Sequence, residues 1–401
     1  MSRFHPRRIT VRRTQVATAA GAAVVALVSS ACGSSTTKAS SASASTPASA
    51  SGSSCHKVDA ATASSVSAFG GMSCLVAAAK AEGHLNVITL PKDWANYGTI
   101  MKDFTAKYGI QITDANPDGS SQDEINAMKQ LKGQTRAPDV LDMGTSFAIS
   151  ATTSGLLAPY EVQSWNQIPA SAKDSSGHWF DDYGGYISIG CDTAKVKQCP
   201  TSFSDLLKPE YKNMVGINGN PTQAGAAFAA VYAAAIANGG SFSDISPGLQ
   251  YFSKLHKAGN FVPVTAGPST VQSGQTPIVV WWDYLQASEI APEVPGWKIT
   301  IPTDGVYASY YSQAISATAP HPAAARLWEE YLYSVTGQNL WLQGHARPIE
   351  LSSLVQDKTV DQTAYSQLPA APGGGALSFP DQAQLKQAQQ VVSQGWASAV
   401  G

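Results

Sequence analysis

Charge is scarce in this chain. Only 13% of its 401 residues are charged, 26 Lys and Arg against 28 Asp and Glu, for a net charge of −2. That balance gives no broad basic field to hold a nucleic-acid backbone, so any charge selectivity must come from a local site. Catalytic signatures are missing too: there is no G-x-S-x-G elbow, no H-E-x-x-H and no G-x-x-x-x-G-K-[ST]. Cysteine is limited to five residues with no Cys-x-x-Cys spacing, and the seven histidines are scattered. Neither a metal centre nor a cofactor is implied. What is present is apolar material, 43% of the residues, enough for a large core in a chain long enough for two or three domains.

The first thirty residues read as a targeting segment. Arg7, Arg8, Arg12 and Arg13 form a basic start, and the apolar run Val16–Val28 is too short to span a bilayer. Ser29, Ser30 and Ala31 then precede Cys32, which resembles a bacterial lipobox with Cys32 as the lipidated N-terminus. Ser29 stands where an aliphatic residue is usual, so a plain cleaved signal peptide is the alternative. Arg12 and Arg13 resemble a twin-arginine signal, but Thr14 and Gln15 depart from it. From Gly33 to Ser54 the chain is almost entirely Ser, Ala, Thr and Gly, a flexible tether.

With Cys32 set aside, four cysteines remain in two close pairs. Outside the cytoplasm, Cys55 with Cys74 and Cys191 with Cys199 are expected as disulfides rather than metal ligands. Residues 55–83 read as a small helical extension pinned by the first bridge.

The folded body starts near His84. Leu85–Leu90 reads as a buried strand, and Tyr97, Ile100, Met101 and Phe104 recur at helical spacing up to Gly109, a C-cap residue. Ile110–Thr113 is a second strand, Ser121 and Glu124 form an S-x-x-E capping box, and Val140–Met143 is a third strand. This alternation predicts a parallel sheet with crossover helices. Further strands are expected at Tyr186–Gly190, Met214–Asn218, Pro277–Trp282, Ile299–Ile301 and Ser312–Thr318. Helices are marked by Phe228, Val231, Tyr232, Ala235 and Ile236, by Leu249, Phe252 and Leu255, and by Leu327, Trp328, Tyr331 and Leu332.

Five segments, in order, resemble the polyamine, iron and thiamine group of solute-binding proteins. They are LNVITLPKDWANYGTIMKDFTAKYGIQI (85–112), RAPDVLDMGTS (136–146), SFSDLLKPEYKNMVGING (202–219), SGQTPIVVWWDYL (273–285) and HPAAARLWEEYLYS (321–334). The resemblance spans about residues 84–350. It implies an α/β, two-lobed type II periplasmic-binding-protein fold with the ligand cleft between the lobes. Lobe 1 is expected over 84–188 plus 307–346 and lobe 2 over 189–306 plus 347–401. The chain would cross near 188–192 and 303–307 and return after Arg347.

The resemblance also points to site residues. Trp94 and Tyr97 match the aromatic positions after the first strand, Trp281 or Trp282 the second-lobe wall, and Tyr310 the returning strand; Ser146 falls in the matched 136–146 segment. Neighbouring strand residues face opposite ways, so one of the two tryptophans lines the cleft, and Trp282 is favoured. Where polyamine binders carry acids, this chain has Asn220, Gln223 and Ser312; Asp283 is the expected replacement charge, with Asp93, Asp181 or Asp182 as others.

The expected function is that of an exported binding protein, not an enzyme. It would be a lipid-anchored monomer on the outer face of the cytoplasmic membrane that passes a small organic amine to the permease of an ABC importer. Ferric iron, for which the Tyr310–Tyr311 pair speaks, thiamine and aminophosphonates are the alternative ligands. A secreted hydrolase and an adhesion or structural surface protein are the alternative classes.

Overall fold

The computed structural model describes residues 55–369 and 379–401. The signal segment, Cys32 and the tether lie outside the described residues. Cys55 is bonded to Cys74 near the start of helix α1 (Met72–Glu82). The extension is fused to the body rather than hung from it. Glu82 accepts the backbone N–H groups of Ala323 and Ala324, and the buried Arg326 guanidinium donates to the carbonyls of Ala61 and Ala63.

Strand β1 (His84–Ile88) pairs in parallel with β2 (Gln111–Ala115) across helix α2 (Tyr97–Tyr108). Gly109 ends α2 in the left-handed conformation, as its position suggested. Helix α3 (Ser121–Gln130) is capped one residue earlier than the S-x-x-E pattern implied: Ser120 and Asp123 form the box. Ser121 and Glu124 are thereby freed for other partners. Ser121 Oγ accepts from Gly144 N, and Glu124 accepts from Asp142 N.

The expected continuous parallel sheet is broken at β3 (Val140–Gly144). Beside β1 the join is made by Asp139, which exchanges bonds with the Asn86 backbone at 2.7 and 2.9 Å, and β1–β2 stays a separate two-stranded sheet. After helix α4 (Thr145–Thr153) and the short β4 (Leu157–Ala158) comes β5 (Phe180–Asp192), thirteen residues buried throughout. In lobe 2, β6 (Val215–Ile217) runs parallel to both β7 (Phe261–Thr265) and β8 (Ile278–Trp282). Helices α5 (Gly225–Ala237), α6 (Ser246–Lys257) and the short α7 (Pro268–Gln272) and α8 (Asp283–Leu285) complete that half. Cys191, at the end of β5, is bonded to Cys199. In α5, Ala226 to Ala235 are all buried, because small side chains let the helix lie between the sheet and α6.

Strands β9 (Trp297–Thr300) and β10 (Ala308–Ser316) both pair with β5. β10 pairs with β5 up to Tyr186 and, antiparallel, with β3; β8 takes over from Ile187 and β9 from Ile189. The partners of β5 therefore change between Tyr186 and Ile187. Helices α9 (Pro322–Leu332) and α10 (Val335–Gln343) are followed by β11 (Arg347–Pro348), which pairs with the lobe 1 half of β5. Helices α11 (Leu351–Gln356) and α12 (Gln362–Gln367) then bury Leu354 and Ala364 with Leu342 of α10. Helix α13 (Gln382–Val400) packs Trp396 on Phe252 and Phe261 and also contacts α4.

Candidate functional site

A cavity of about 460 Å³ opens beyond the carboxyl ends of β1, β3, β6 and β8, where ligands of α/β sheets sit. Its lobe 1 wall comes from the segments after β1 and β2, the start of α3 and β3. Its lobe 2 wall comes from the β6–α5 turn, Trp281 and Glu289. At the floor the two halves meet backbone to backbone: a Cβ added to Gly144 would stand 3.0 Å from Gly225 Cα.

Three rings shape the wall. Trp94 lies edge-on to Tyr311 at 5.6 Å and to Trp281 at 6.0 Å. Trp281 is buried, and its indole N–H has no protein partner.

Six carboxylates line the same space: Asp93, Asp118, Asp123, Glu124, Asp142 and Glu289. Among the described residues no Lys, Arg or His lines it. Asp142 is buried on β3; its Oδ2 accepts from Tyr97 at 2.9 Å and from Tyr183 at 2.7 Å, while Oδ1 has no partner. Trp94 Nε1 donates to Tyr183 Oη at 2.7 Å, which ties the cleft wall to the acid at its floor. Glu289 sits on a turn of π-helix, Gln286–Ile290, and its Oε1 is buried without a partner. Burial, then the charges of Asp93 and Asp118, push its pKa up to about 8. Burial also holds Glu124 well above the usual carboxylate range. Thr89, a β-branched residue held at φ 57, shapes the rim, an unusual backbone state of the kind found at binding sites.

Of the residues singled out in the sequence, Trp94, Trp281, Asn220, Gln223 and Asp93 line this cavity. Trp282 does not. It points to the other face of β8, into a void of about 20 Å³ shared with Ser146, Phe228 and Tyr310. Asp283 is buried against Arg347 (2.8 Å) and accepts from Tyr186 N, so its charge is already matched at the lobe crossing. Tyr97 stands behind the wall as a donor to Asp142. Tyr310 packs on Phe379, and it is Tyr311 that reaches the cleft. Ser312 is also set back, donating to the buried Asp181 at 2.6 Å, and Asp182 accepts from Gln313 at 2.8 Å. The neutral positions therefore do not make the cleft neutral. Besides Asp93, its acids are Asp118, Asp123, Glu124, Asp142 and Glu289, none of which the sequence marked for the site. One signal was available: Asp142 is an acid inside an otherwise apolar strand.

The model of the bacterial extracellular solute-binding protein family matches residues 136–388. Among solved structures, the periplasmic binding protein AfuA of Actinobacillus pleuropneumoniae, determined with fructose-6-phosphate, superimposes with a TM-score of 0.64 at 18% identity, covering 79% of this chain and 98% of its own. The ferric binding protein of Campylobacter jejuni gives 0.58 at 18% identity, over 79% and 99%. A putative spermidine/putrescine ABC transporter protein of Listeria monocytogenes gives 0.60 at 12%, over 79% and 98%. At these identities the likeness shows the fold, the two-lobed periplasmic-binding-protein architecture.

Proposed function

The chain belongs to the bacterial extracellular solute-binding proteins of the ABC-importer type, and on that premise we propose that its cleft captures a small organic cation. One observation carries the proposal: among the described residues, six carboxylates and no basic side chain surround an aromatic-walled cavity. Ring faces attract a cation with apolar parts, each by about 0.5–2 kcal/mol. A buried carboxylate oxygen without a donor, such as Asp142 Oδ1, is satisfied by an ammonium group at about 1.5–3 kcal/mol. Micromolar affinity needs about 8 kcal/mol, of which these contacts supply a fair share. In this reading the lobes close over the solute by bending where β5 changes partners, the Asp283–Arg347 pair lies at that hinge, and the closed form is presented to a permease. Export by the N-terminal segment and a lipid anchor on Cys32 complete the proposal.

A second reading is a phosphorylated solute. Its support is the N-termini of α3 and α5, which both border the cavity, and the sugar phosphate held by AfuA on the same fold. Asp123, which caps α3, and the other five acids weigh against it. A thermal-shift screen of choline, putrescine, thiamine, aminophosphonates, ferric iron, sugars and sugar phosphates separates the two. A solute at a hundred times its Kd stabilises the fold by about 2.7 kcal/mol. Cations are expected to raise the midpoint, and a rise with sugar phosphates alone overturns the proposal.

A further inference from the structure

We propose that capture of a cation at Asp142 releases a proton from a cluster of buried carboxylates that runs from the cleft wall into the core behind it. The proposal rests on the reading of the cleft as a cation site. Asp142 meets acids from three other elements. Glu124 of α3 accepts from the Asp142 backbone, Asp182 of β5 is joined to it through Gln313 and Tyr97, and the charge of Asp142 adds to burial in raising Glu329 of α9. Glu329 is fully buried, and neither of its carboxylate oxygens has a hydrogen-bond partner.

The other titratable groups around Asp142 are the hydroxyls of Tyr97, Tyr183, Tyr284 and Tyr311, which add no positive charge. Arg326 acts on Glu329 only at range, because its N–H groups are bonded to the carbonyls of Ala61, Ala63 and Pro322. Four neighbouring buried carboxylates with no adjacent cation cannot all ionise. Burial raises the pKa of each of them.

The empty cleft therefore holds protons near neutrality. An ammonium group arriving at Asp142 Oδ1 takes the place of one of them. A carboxylic acid and R–NH₃⁺ become a carboxylate paired with R–NH₃⁺, and one H⁺ leaves through the cleft to solvent.

The test is calorimetric titration of the full chain with choline, putrescine and thiamine at about pH 6.5, in buffers of different ionisation enthalpy. The expected result is a linear dependence on buffer enthalpy corresponding to about one proton released, with affinity rising up to about tenfold per pH unit toward neutrality. Glu329→Gln, remote from the cavity wall, is expected to move that pH profile to lower pH. Should that variant fail to fold, the buffer series on the unaltered chain decides alone. Binding with no buffer dependence and a flat pH profile overturns this inference and leaves the cation reading standing. If none of the three cations binds, the cation reading falls and this inference falls with it.

Discussion

Trp94 and Trp281 meet edge to face across the cleft, 6.0 Å between ring centroids, one from the segment after β1 and the other from the end of β8. Trp282, one residue on, stacks on Tyr284 at 6.2 Å away from the cleft. The two tryptophans are predicted to separate binding from stability. Trp281→Phe should weaken cation affinity by about 0.5–2 kcal/mol through its smaller quadrupole. Trp282→Phe should lower the unfolding midpoint and leave affinity within about twofold, since a smaller ring in a packed core leaves a void. Titration by intrinsic fluorescence beside urea unfolding reads both, and the reverse pattern refutes the assignment of faces.

Two buried aspartates are predicted to divide in the same way. Asp142→Asn should cost at least tenfold in affinity, about 1.5–3 kcal/mol for a lost charge-assisted bond. Asp283→Asn leaves Arg347 buried without its counter-charge, and breaking such a pair costs about 3–5 kcal/mol of stability. If Asp283→Asn abolishes binding in protein that is fully folded, the hinge role of Asp283 is wrong.

The buried acids also set the pH dependence of stability. Burial raises Asp181, Glu330 and Glu350 to about 7 and Glu289 to about 8. Between the unfolded value of about 4 and those values the folded chain binds more protons than the unfolded one, so the contribution is complete at low pH and is lost as pH rises. His321, raised by its bond to Asp139, works in the same direction through its own folded pKa. Asp205, held low by Lys208, opposes them only below the ordinary carboxylate range. Urea midpoints are expected to fall from pH 5.5 to pH 8, with a smaller fall when a cation is bound. A rise over that interval contradicts protonation of these buried acids in the folded chain.

Non-reducing peptide mapping should find Cys55 joined to Cys74 and Cys191 to Cys199. In protein from the membrane fraction, Cys32 should be the N-terminal residue and carry lipid. Loops of this length imply a loss of about 2–3 kcal/mol for each bridge removed. Crossed pairing, or free thiols at the four positions, rules out the arrangement.

Periodicity made much of the fold legible. The helical spacing from Tyr97 to Phe104, the apolar run ending at Trp282 and the cysteine pairs all describe local order, and the structure keeps them. The site was less legible because it depends on long-range register. Which tryptophan faces the cleft is fixed by α5 covering one face of β8, so Trp282 is enclosed with Phe228 and Trp281 is left to the cavity. The acids were missed for a related reason. Glu124 satisfied a capping pattern one residue out of step, Asp142 lay inside a strand, and Glu289 sits on a π-turn that no short motif marks. Asp283 looked available because its partner, Arg347, is 64 residues away in sequence.

The central claim is that an acidic, aromatic cleft selects cations. It is tested most directly by calorimetric titration of the unaltered chain with choline, putrescine and thiamine, set beside fructose-6-phosphate and inorganic phosphate. The account predicts that at least one of the cations binds with a Kd near or below the micromolar range, that Asp142→Asn weakens it at least tenfold, and that neither phosphate gives heat. Saturable binding of a phosphate-bearing solute, with none of the cations bound, would contradict it.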